Sequence, residues 1–171
     1  MAGIPETVGF AVMTVSDTRD EKTDRTGPWL RQQIEAEGHG VIDHAITPDD
    51  VESIRARARA WIADPRIHAI ISTGGTGLTG RDVTPEALRP LFDKEMDGFS
   101  AVFHQVSYKS VGVSTIQSRA IAGIAGGTYI FAIPGSMGGC KDAWNHVLRD
   151  EFDRTHKPCN LVELIPRLTE S

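Results

Sequence analysis

Apolar runs alternate along the chain with segments whose apolar residues recur at helical spacing. Residues 8–15, 68–73 and 128–133 are apolar at nearly every position, which is typical of central strands in a parallel sheet that is covered on both faces. Residues 41–46 predict a shorter strand. Strands that alternate with helices form βαβ units, so the sequence predicts one α/β domain over residues 1–171. The expected architecture is a three-layer, doubly wound, mostly parallel sheet with helices on both faces.

The helices between these strands are predicted from spacing and from their starts. Apolar residues at helical spacing predict helices over residues 29–37 and 144–152. In the segment Thr47-Pro48-Asp49-Asp50, Thr47 is suited to the N-cap, with proline at the first helical position and an acid at the third. This interpretation places Asp49 in the first turn of a helix. The segment Thr84-Pro85-Glu86 predicts another helix start.

Composition and charge narrow the class of protein. The 171 residues are 40% hydrophobic and 24% charged, as in an ordinary globular domain. The net charge of −5 argues against a duplex-DNA binder, so no nucleic-acid partner is expected. No run approaches the roughly 20 apolar residues of a membrane span, and the N-terminus lacks the pattern of a signal peptide. Cys140 and Cys159 match no metal or redox spacing, which indicates a cytoplasmic protein with reduced, structural thiols.

Polar and glycine-rich residues follow the ends of the predicted strands. Ser16 and Asp17 follow the first strand, Asp49 the second, residues 74–82 the third, and Pro134-Gly135-Ser136 the last. In open α/β sheets, ligands bind outside the carboxyl ends of the strands. The sequence therefore predicts one site that four loops build at one edge of the sheet.

The glycine loop after the third strand matches two nucleotide-binding patterns only in part. Residues 75–80 read G-x-G-x-x-G, but Pro85 begins the following helix too late for a pyrophosphate to lie on its N-terminus. The glycine spacing of a P-loop is also present, but Arg81 and Asp82 stand where that motif needs Lys and then Ser or Thr. Neither a dinucleotide fold nor a P-loop ATPase is expected.

The same loop can still bind an anion. Glycines at 74, 75 and 77 let main-chain N–H groups approach a phosphate closely, and the Thr76 hydroxyl is a further donor. A plain tight turn between strand and helix is the alternative interpretation.

Three carboxylates, those of Asp49, Asp82 and Asp17, accompany this loop. Beside an anion-binding loop, carboxylates most often hold Mg²⁺, which prefers one or two of them together with phosphate oxygens and water. The alternatives are a first-turn helix position for Asp49 and a surface ion pair for Asp82. Six scattered histidines show no metal-ligand spacing, and no serine-nucleophile motif is present, so neither zinc nor nucleophilic catalysis is expected.

The segment STGGTGLTGRDVTPEAL, residues 72–88, resembles a signature of the molybdenum cofactor biosynthesis family known as MoaB/Mog, which includes gephyrin-like G domains. The resemblance extends through STIQSRAIAGI (114–124), IPGS (133–136) and RTHKPCNLVELIPRL (154–168). The last segment and the PGS form of the loop are more similar to the MoaB branch than to the Mog branch. The intact RDVTPE stretch favours an active member.

This resemblance implies an α/β domain that assembles into trimers or hexamers and acts with other proteins of the molybdenum cofactor pathway. The implied reaction is the Mg²⁺-dependent adenylylation of molybdopterin by ATP, with pyrophosphate as the second product. By matched position, the resemblance implies catalytic and Mg²⁺-binding roles for Asp49 and Asp82, nucleotide-phosphate binding by Ser16, Asp17, Gly74, Gly75, Thr76 and Gly77, and molybdopterin binding by Ser118, Arg119, Pro134, Gly135 and Ser136.

Two other classes stay open on the sequence, because a fold does not fix a function. One is a catalytically silent molybdopterin-binding or scaffold protein of the same pathway. The other is the related CinA-type domain, which is expected to be accompanied by a second domain.

Overall fold

A six-stranded mixed sheet forms the centre of the structure, a computed structural model that describes residues 3–171. In chain order its strands are β1 (Gly9–Val15), β2 (Gly40–Thr47), β3 (Ala69–Thr73), β4 (Lys94–Glu95), β5 (Ile121–Ala125) and β6 (Thr128–Ile133). Across the sheet the order is β2-β1-β3-β6-β5-β4, with β2, β1, β3 and β6 parallel to one another and β5 antiparallel to both of its neighbours, β6 and β4. The predicted α/β, mostly parallel fold class is confirmed. The domain expected over residues 1–171 includes Met1 and Ala2, which lie outside the described residues.

Helices cover both faces of this sheet. They are α1 (Thr26–Ala36), α2 (Val51–Ile62), α3 (Thr84–Leu88), α4 (Asp97–Val111), α5 (Met137–Ala143), α6 (Arg149–Glu151) and α7 (Leu161–Leu164). A π-helical turn, Trp144–Leu148, joins α5 to α6, and a 3₁₀ turn, Gly112–Gln117, follows α4. In residues 3–171, no helix is both long enough and apolar enough to cross a membrane.

The alternation of side chains along β1 explains why this strand is apolar on both faces. Phe10 and Val12 belong to a core that α1, α4 and α5 complete, whereas Ala11 and Met13 belong to a second core under α2 and α3. All seven residues of β1 are buried, because the strand lies inside the sheet between β2 and β3. A strand buried in this way has no polar face, so its hydrophobic run is continuous.

The predicted start of α2 at Thr47 is wrong. Thr47 is the last residue of β2, and its carbonyl accepts a hydrogen bond from Ser16 N at 2.9 Å. The N-cap is Asp50, whose Oδ2 accepts hydrogen bonds from Ser53 N at 2.8 Å and from Ser53 Oγ at 2.7 Å. A carboxylate at the N-cap satisfies a main-chain N–H that has no partner inside the helix. Asp49 therefore precedes the helix, and its interpretation as a first-turn residue is also wrong.

The sequence did not predict strands β5 and β4, which form the antiparallel edge of the sheet. Strand β5 contains Ala122, Gly123 and Ala125, which are weak strand formers, so its residues lack the pattern of a buried strand. The available signal was the Gly126-Gly127 pair, in which both φ angles are positive, at 56° and 85°. Two adjacent residues with positive φ form the tight turn that a two-residue hairpin requires. This turn pairs β5 with β6, with Ala125 opposite Thr128.

The two cysteines differ in their environments, and both are free thiols. Cys140 is buried on α5, as expected of a structural cysteine, and burial raises the pKa of its thiol to about 11. Cys159 is exposed, so the expectation of a structural role is wrong for this residue.

Candidate active-site cleft

A cleft of about 720 Å³ opens at the carboxyl ends of the parallel strands. Each of the four loops predicted to meet there contributes to its walls: Ser16 after β1, Asp49 after β2, residues 74–77 and 82 after β3, and Pro134 to Ser136 after β6. Ser118, which precedes β5, lies in the same lining. The cleft size is within the usual range of small-molecule sites. The predicted convergence of these loops on one edge is therefore observed.

The loops after β1 and β2 are tied together by a reciprocal pair of hydrogen bonds. Asp49 N donates to Asp17 Oδ1 at 2.9 Å, and Asp17 N donates to Asp49 Oδ2 at 3.0 Å. Burial, together with the nearby negative charge of Asp17, raises the pKa of Asp49 above its usual range. The pair presents the Asp49 carboxylate to the cleft while keeping Asp17 directly behind it.

The glycine loop folds back onto the start of α3. Gly74 and Gly75 have φ angles of 108° and 67°, a conformation that side chains other than hydrogen rarely tolerate. Thr84 Oγ1 donates to the carbonyl of Gly74 at 2.8 Å, and Thr84 N donates to the carbonyl of Gly75 at 3.0 Å. A β-carbon on Gly75 would lie 2.3 Å from Thr84 Oγ1 and 3.2 Å from Asp49 Oδ1, so a side chain here would displace Thr84 and crowd this carboxylate.

Asp82 lies at the other end of the glycine loop. Its Oδ2 accepts hydrogen bonds from Thr79 N at 2.9 Å and from Thr79 Oγ1 at 2.8 Å. Burial alone would raise the pKa of Asp82, but these bonds and a further one from the Gly77 N–H lower it below the usual value. Asp82 forms no ion pair within residues 3–171, so its alternative interpretation as half of a surface ion pair is wrong.

The side chains of Ser118 and Arg119 lie in different environments. Ser118 lines the cleft, and its Oγ accepts a hydrogen bond from Ala120 N at 3.3 Å. The Arg119 guanidinium is directed to the back of the glycine loop, where Nε donates to the carbonyl of Gly77 at 2.8 Å. It also forms an ion pair with Glu86. The structure therefore brings Ser118 into the cleft and holds the Arg119 side chain behind the loop.

The loop after β6 bounds the cleft next to the start of α5. Ser136 is the N-cap of α5, and its Oγ accepts a hydrogen bond from Gly139 N at 3.1 Å. Thr73 Oγ1 donates to the carbonyl of Pro134 at 3.0 Å, which links this loop to the end of β3.

Arg19 is a cleft residue that the sequence reasoning missed. Its Nη1 donates to Thr26 Oγ1 and its Nη2 donates to the carbonyl of Gly135, both at 3.2 Å. These two bonds use only part of the five N–H groups of a guanidinium. Arg81, at the rim, is the second cation in the lining. Arginine in a loop after a strand is too common to mark a site, so no local signal identified Arg19.

A second wall of the cleft consists mainly of uncharged polar side chains. It is formed by α4, the 3₁₀ turn after it and α5, and comprises Ser107, Val111, Ser114, Thr115, Gln117 and Asp142. Thr115 is nine-tenths buried, and its Oγ1 has no hydrogen-bond partner among residues 3–171. The STIQSR stretch was the available signal for this wall, although the sequence reasoning selected only its last two residues.

The carboxylates of the cleft suit a Mg²⁺ ion whose ligands come partly from the protein and partly from a bound phosphate. Within residues 3–171, no group of three or more His, Cys, Asp or Glu side chains is arranged to hold a metal. Asp49 and Asp82 flank the glycine loop, and Mg²⁺ commonly takes one or two carboxylates together with phosphate oxygens and water. The donor set therefore suits a Mg²⁺ ion that arrives with a phosphate ligand.

Comparison with known proteins identifies the family. Residues 11–154 match the family described as a probable molybdopterin binding domain. The chain belongs to the MoaB/Mog family of molybdenum cofactor biosynthesis proteins. It is 46% identical over 151 residues to molybdenum cofactor biosynthesis protein B of Escherichia coli K12, covering 88% of this chain and 89% of the relative.

Solved structures of MoaB/Mog proteins agree with this assignment. A crystal structure of a molybdenum cofactor biosynthesis protein B matches with a TM-score of 0.86 and 35% identity, covering 98% of this chain and 99% of that one. The tungsten cofactor synthesizing protein MoaB from Pyrococcus furiosus matches with a TM-score of 0.77 and 35% identity, covering 86% and 93%. The MoaB/Mog resemblance inferred from the sequence is confirmed, and with it a role in molybdenum cofactor biosynthesis.

Proposed function

We propose that this MoaB/Mog protein adenylylates molybdopterin with ATP in a Mg²⁺-dependent reaction. The observation that carries the proposal is the position of Asp49 and Asp82 on either side of a glycine loop that lines the same cleft. Carboxylates that can share Mg²⁺, next to donors that can hold phosphate oxygens, are what a nucleotidyl transfer needs.

The reaction is a displacement at phosphorus. An oxygen of the terminal phosphate of molybdopterin bonds to the α-phosphorus of ATP, and the bond between that phosphorus and the α,β-bridging oxygen breaks. Pyrophosphate leaves with the bridging oxygen. The substrate supplies the nucleophile, which fits a described cleft lining that contains neither His nor Cys.

The protein contributes positioning and charge in this proposal. The main-chain N–H groups of Gly75 and Thr76 donate to the triphosphate, because those of Gly74 and Gly77 already bond the Ile133 carbonyl and the Asp82 carboxylate. Arg19 and Arg81 offset part of the triphosphate charge. Asp17 supports the Asp49 carboxylate from the loop after β1, and Ser16 in the same loop lines the cleft for the nucleotide phosphates. When bound, Mg²⁺ supplies charge stabilisation at the phosphate oxygens.

The pterin is proposed to bind against the second wall of the cleft, which α4, the following 3₁₀ turn and α5 form. Ser118, Ser114 and Gln117 offer hydroxyl and amide groups to a ring with amide-like edges. Pro134, Gly135 and Ser136 bound the same space from the β6 loop. Ser118 Oγ accepts only one weak hydrogen bond, from Ala120 N at 3.3 Å, so its hydroxyl hydrogen can be donated to a ligand.

Self-association is a further part of the proposal. Four apolar side chains at the end of α4 and on the following turn are between 53% and 78% exposed: Tyr108, Val111, Val113 and Ile116. An apolar patch of this kind is commonly covered by another protein surface. We propose that it contributes to a homo-trimer or hexamer, which multi-angle light scattering tests directly. A mass equal to one chain would contradict this part of the proposal.

The decisive experiment measures pyrophosphate release from ATP, Mg²⁺ and molybdopterin. Wild-type protein is expected to turn over, and Asp82→Ala is expected to lose activity while it keeps its fold. Asp64→Ala is the matched control, because Asp64 pairs with Arg66 outside the cleft. Wild-type protein that binds both ligands without releasing pyrophosphate would contradict the enzyme and support the silent binding or scaffold protein.

A further inference from the structure

Arg119 connects three points of the segment that carries the glycine loop and Asp82. Its main-chain N–H donates to the carbonyl of Thr76 at 2.8 Å. Its guanidinium donates from Nε to the carbonyl of Gly77 and from Nη2 to the carbonyl of Asp82, both at 2.8 Å. One side chain therefore holds the main chain at both ends of the turn that presents the Asp82 carboxylate.

Glu86 completes this arrangement from the first turn of α3. Its carboxylate pairs with Nη1 of Arg119 and accepts from Nη2, with Oε2 at 3.3 Å. The hydrogen bond from Arg119 lowers the pKa of Glu86, so the ion pair persists at neutral pH. A guanidinium is planar and carries its donors in a fixed fork, so bonds to two carbonyls and a carboxylate fix its orientation.

The local backbone directs Ser118 and Arg119 to different sides. Ser118 has an extended conformation, with φ −93° and ψ 137°, and successive side chains of extended backbone point in opposite directions. Ser118 lines the cleft, whereas the Arg119 side chain lies against the back of the glycine loop.

We propose that Arg119 is a positioning residue, which holds residues 77–82 so that the Asp82 carboxylate meets the nucleotide, and that it does not contact the pterin. This inference rests on the function proposed above. It differs from the role that the family resemblance implies for Arg119, and Glu86 becomes part of the same device. Small displacements of a catalytic group are sufficient to lower turnover strongly, by up to about a hundredfold for 1 Å.

A double-mutant cycle on Arg119 and Glu86 tests the proposal. Arg119→Gln is expected to lower kcat by about tenfold or more and to weaken binding of Mg²⁺-ATP, with the KM for molybdopterin nearly unchanged. Glu86→Gln is expected to lower kcat in the same direction by a smaller factor. The double variant is expected to resemble Arg119→Gln alone, because the two residues act through one contact. Arg66→Gln, which removes an exposed ion pair with Asp64 outside the cleft, is the charge-matched control.

The KM for molybdopterin decides against the proposal if it changes in the Arg119 variant. A KM for molybdopterin raised about tenfold in Arg119→Gln, with Glu86→Gln indistinguishable from wild type, would overturn the proposal and make Arg119 a pterin ligand. If Arg119→Gln does not fold, Arg119→Lys and Glu86→Gln carry the same comparison, since Lys keeps the charge and loses the fork.

The affinity for Mg²⁺-ATP tests the positioning role of Arg119 even if the protein does not catalyse adenylylation. If wild-type protein binds Mg²⁺-ATP without turnover, calorimetric titration of Arg119→Gln and Glu86→Gln still reports whether the loop is held. Weaker ATP binding in both variants would then support the positioning role while the adenylylation proposal fails. Unchanged ATP binding in both would overturn the positioning role.

Discussion

Asp17 and Asp49 each accept a hydrogen bond from the other's main-chain N–H, at 2.9 and 3.0 Å. This exchange engages Oδ2 of Asp49 and leaves Oδ1 facing Gly75. The charge of Asp17 also contributes to the raised pKa of Asp49. One pair of residues thus aligns two loops and adds to the effect of burial on the ionisation of a candidate catalytic group.

The first prediction concerns this ionisation. If turnover requires the Asp49 carboxylate to be charged, activity falls as the pH drops through its raised pKa. Asp17→Asn removes the neighbouring charge but keeps an acceptor for Asp49 N, so the pKa of Asp49 decreases and the acid limb of the profile moves to lower pH. Profiles of kcat against pH for wild type and Asp17→Asn measure the shift. An acid limb at the same pH in both proteins would contradict the assignment.

Replacement of the two flanking carboxylates is expected to abolish most of the turnover. Asp49→Asn and Asp82→Asn keep size and hydrogen bonding but remove the charge that holds Mg²⁺, so kcat is expected to fall by about a hundredfold or more. Steady-state assays over a Mg²⁺ series check this, with Asp64→Asn as the control outside the cleft. Near wild-type rates in either cleft variant would make that residue dispensable.

Arg19 is predicted to bind a phosphate of the nucleotide. Arg19→Gln is expected to weaken ATP binding by about tenfold, because it removes a charged donor from the cleft. Isothermal titration measures the affinity, and the exposed Arg59 on α2 supplies the charge-matched control as Arg59→Gln. Equal loss of affinity in both variants would indicate a general charge effect rather than a contact.

Two histidines predict an acid-sensitive fold. His39 Nδ1 accepts a hydrogen bond from Val8 N at 3.3 Å, and His68 Nδ1 accepts one from Gly9 N at 2.9 Å. Burial lowers the pKa of both side chains. The two histidines therefore bind protons more readily in the unfolded chain than in the folded one. Their contribution to the free energy of unfolding is complete above the unfolded pKa of about 6.5 and is lost as the pH falls below it.

Urea unfolding at pH 7.5 and pH 5.5 tests the role of these histidines. The wild-type midpoint is expected to decrease at the lower pH, and His68→Gln is expected to show a smaller decrease. The exposed His146 gives the control, since His146→Gln is expected to keep the wild-type dependence. A His68→Gln protein with the full wild-type decrease would show that His68 is not responsible.

Thiol labelling distinguishes the two cysteines. Cys140 is buried and its pKa is raised to about 11, so its reactive thiolate is scarce at pH 8. A disulfide reagent is expected to label one thiol per native chain, none in Cys159→Ser, and two in unfolded wild type. Rapid labelling of two thiols in the native protein would contradict the burial of Cys140.

The sequence was sufficient for those features that local patterns encode. Continuous apolar runs identified β1, β3 and β6, and the polar residues after them identified the edge where the cleft lies. Hydrogen bonds between distant residues left no such pattern: Arg19 and Gly135 are 116 positions apart, and Arg119 and Gly77 are 42 apart. The function of an arginine depends on which carbonyl it reaches, and only the folded chain determines that.

The helix start after β2 shows a different limit. Thr47, Asp49 and Asp50 are all acceptable N-caps by residue type, so the choice depends on how far β2 continues. Pairing of Thr47 with Val15 in the sheet extends the strand and leaves the cap to Asp50. A tertiary contact therefore decided a local boundary.

That boundary gives two adjacent aspartates separate duties. Asp50 caps the N-terminus of α2, and Asp49 lies before the helix and lines the cleft. A selection for heat resistance would therefore retain Asp50 and tolerate changes at Asp49 that keep its acceptor for Asp17 N, such as Asp49→Asn. A selection for cofactor production would retain the Asp49 charge. Protein engineers who wish to thermostabilise the scaffold without changing its chemistry should therefore treat these two neighbouring aspartates separately.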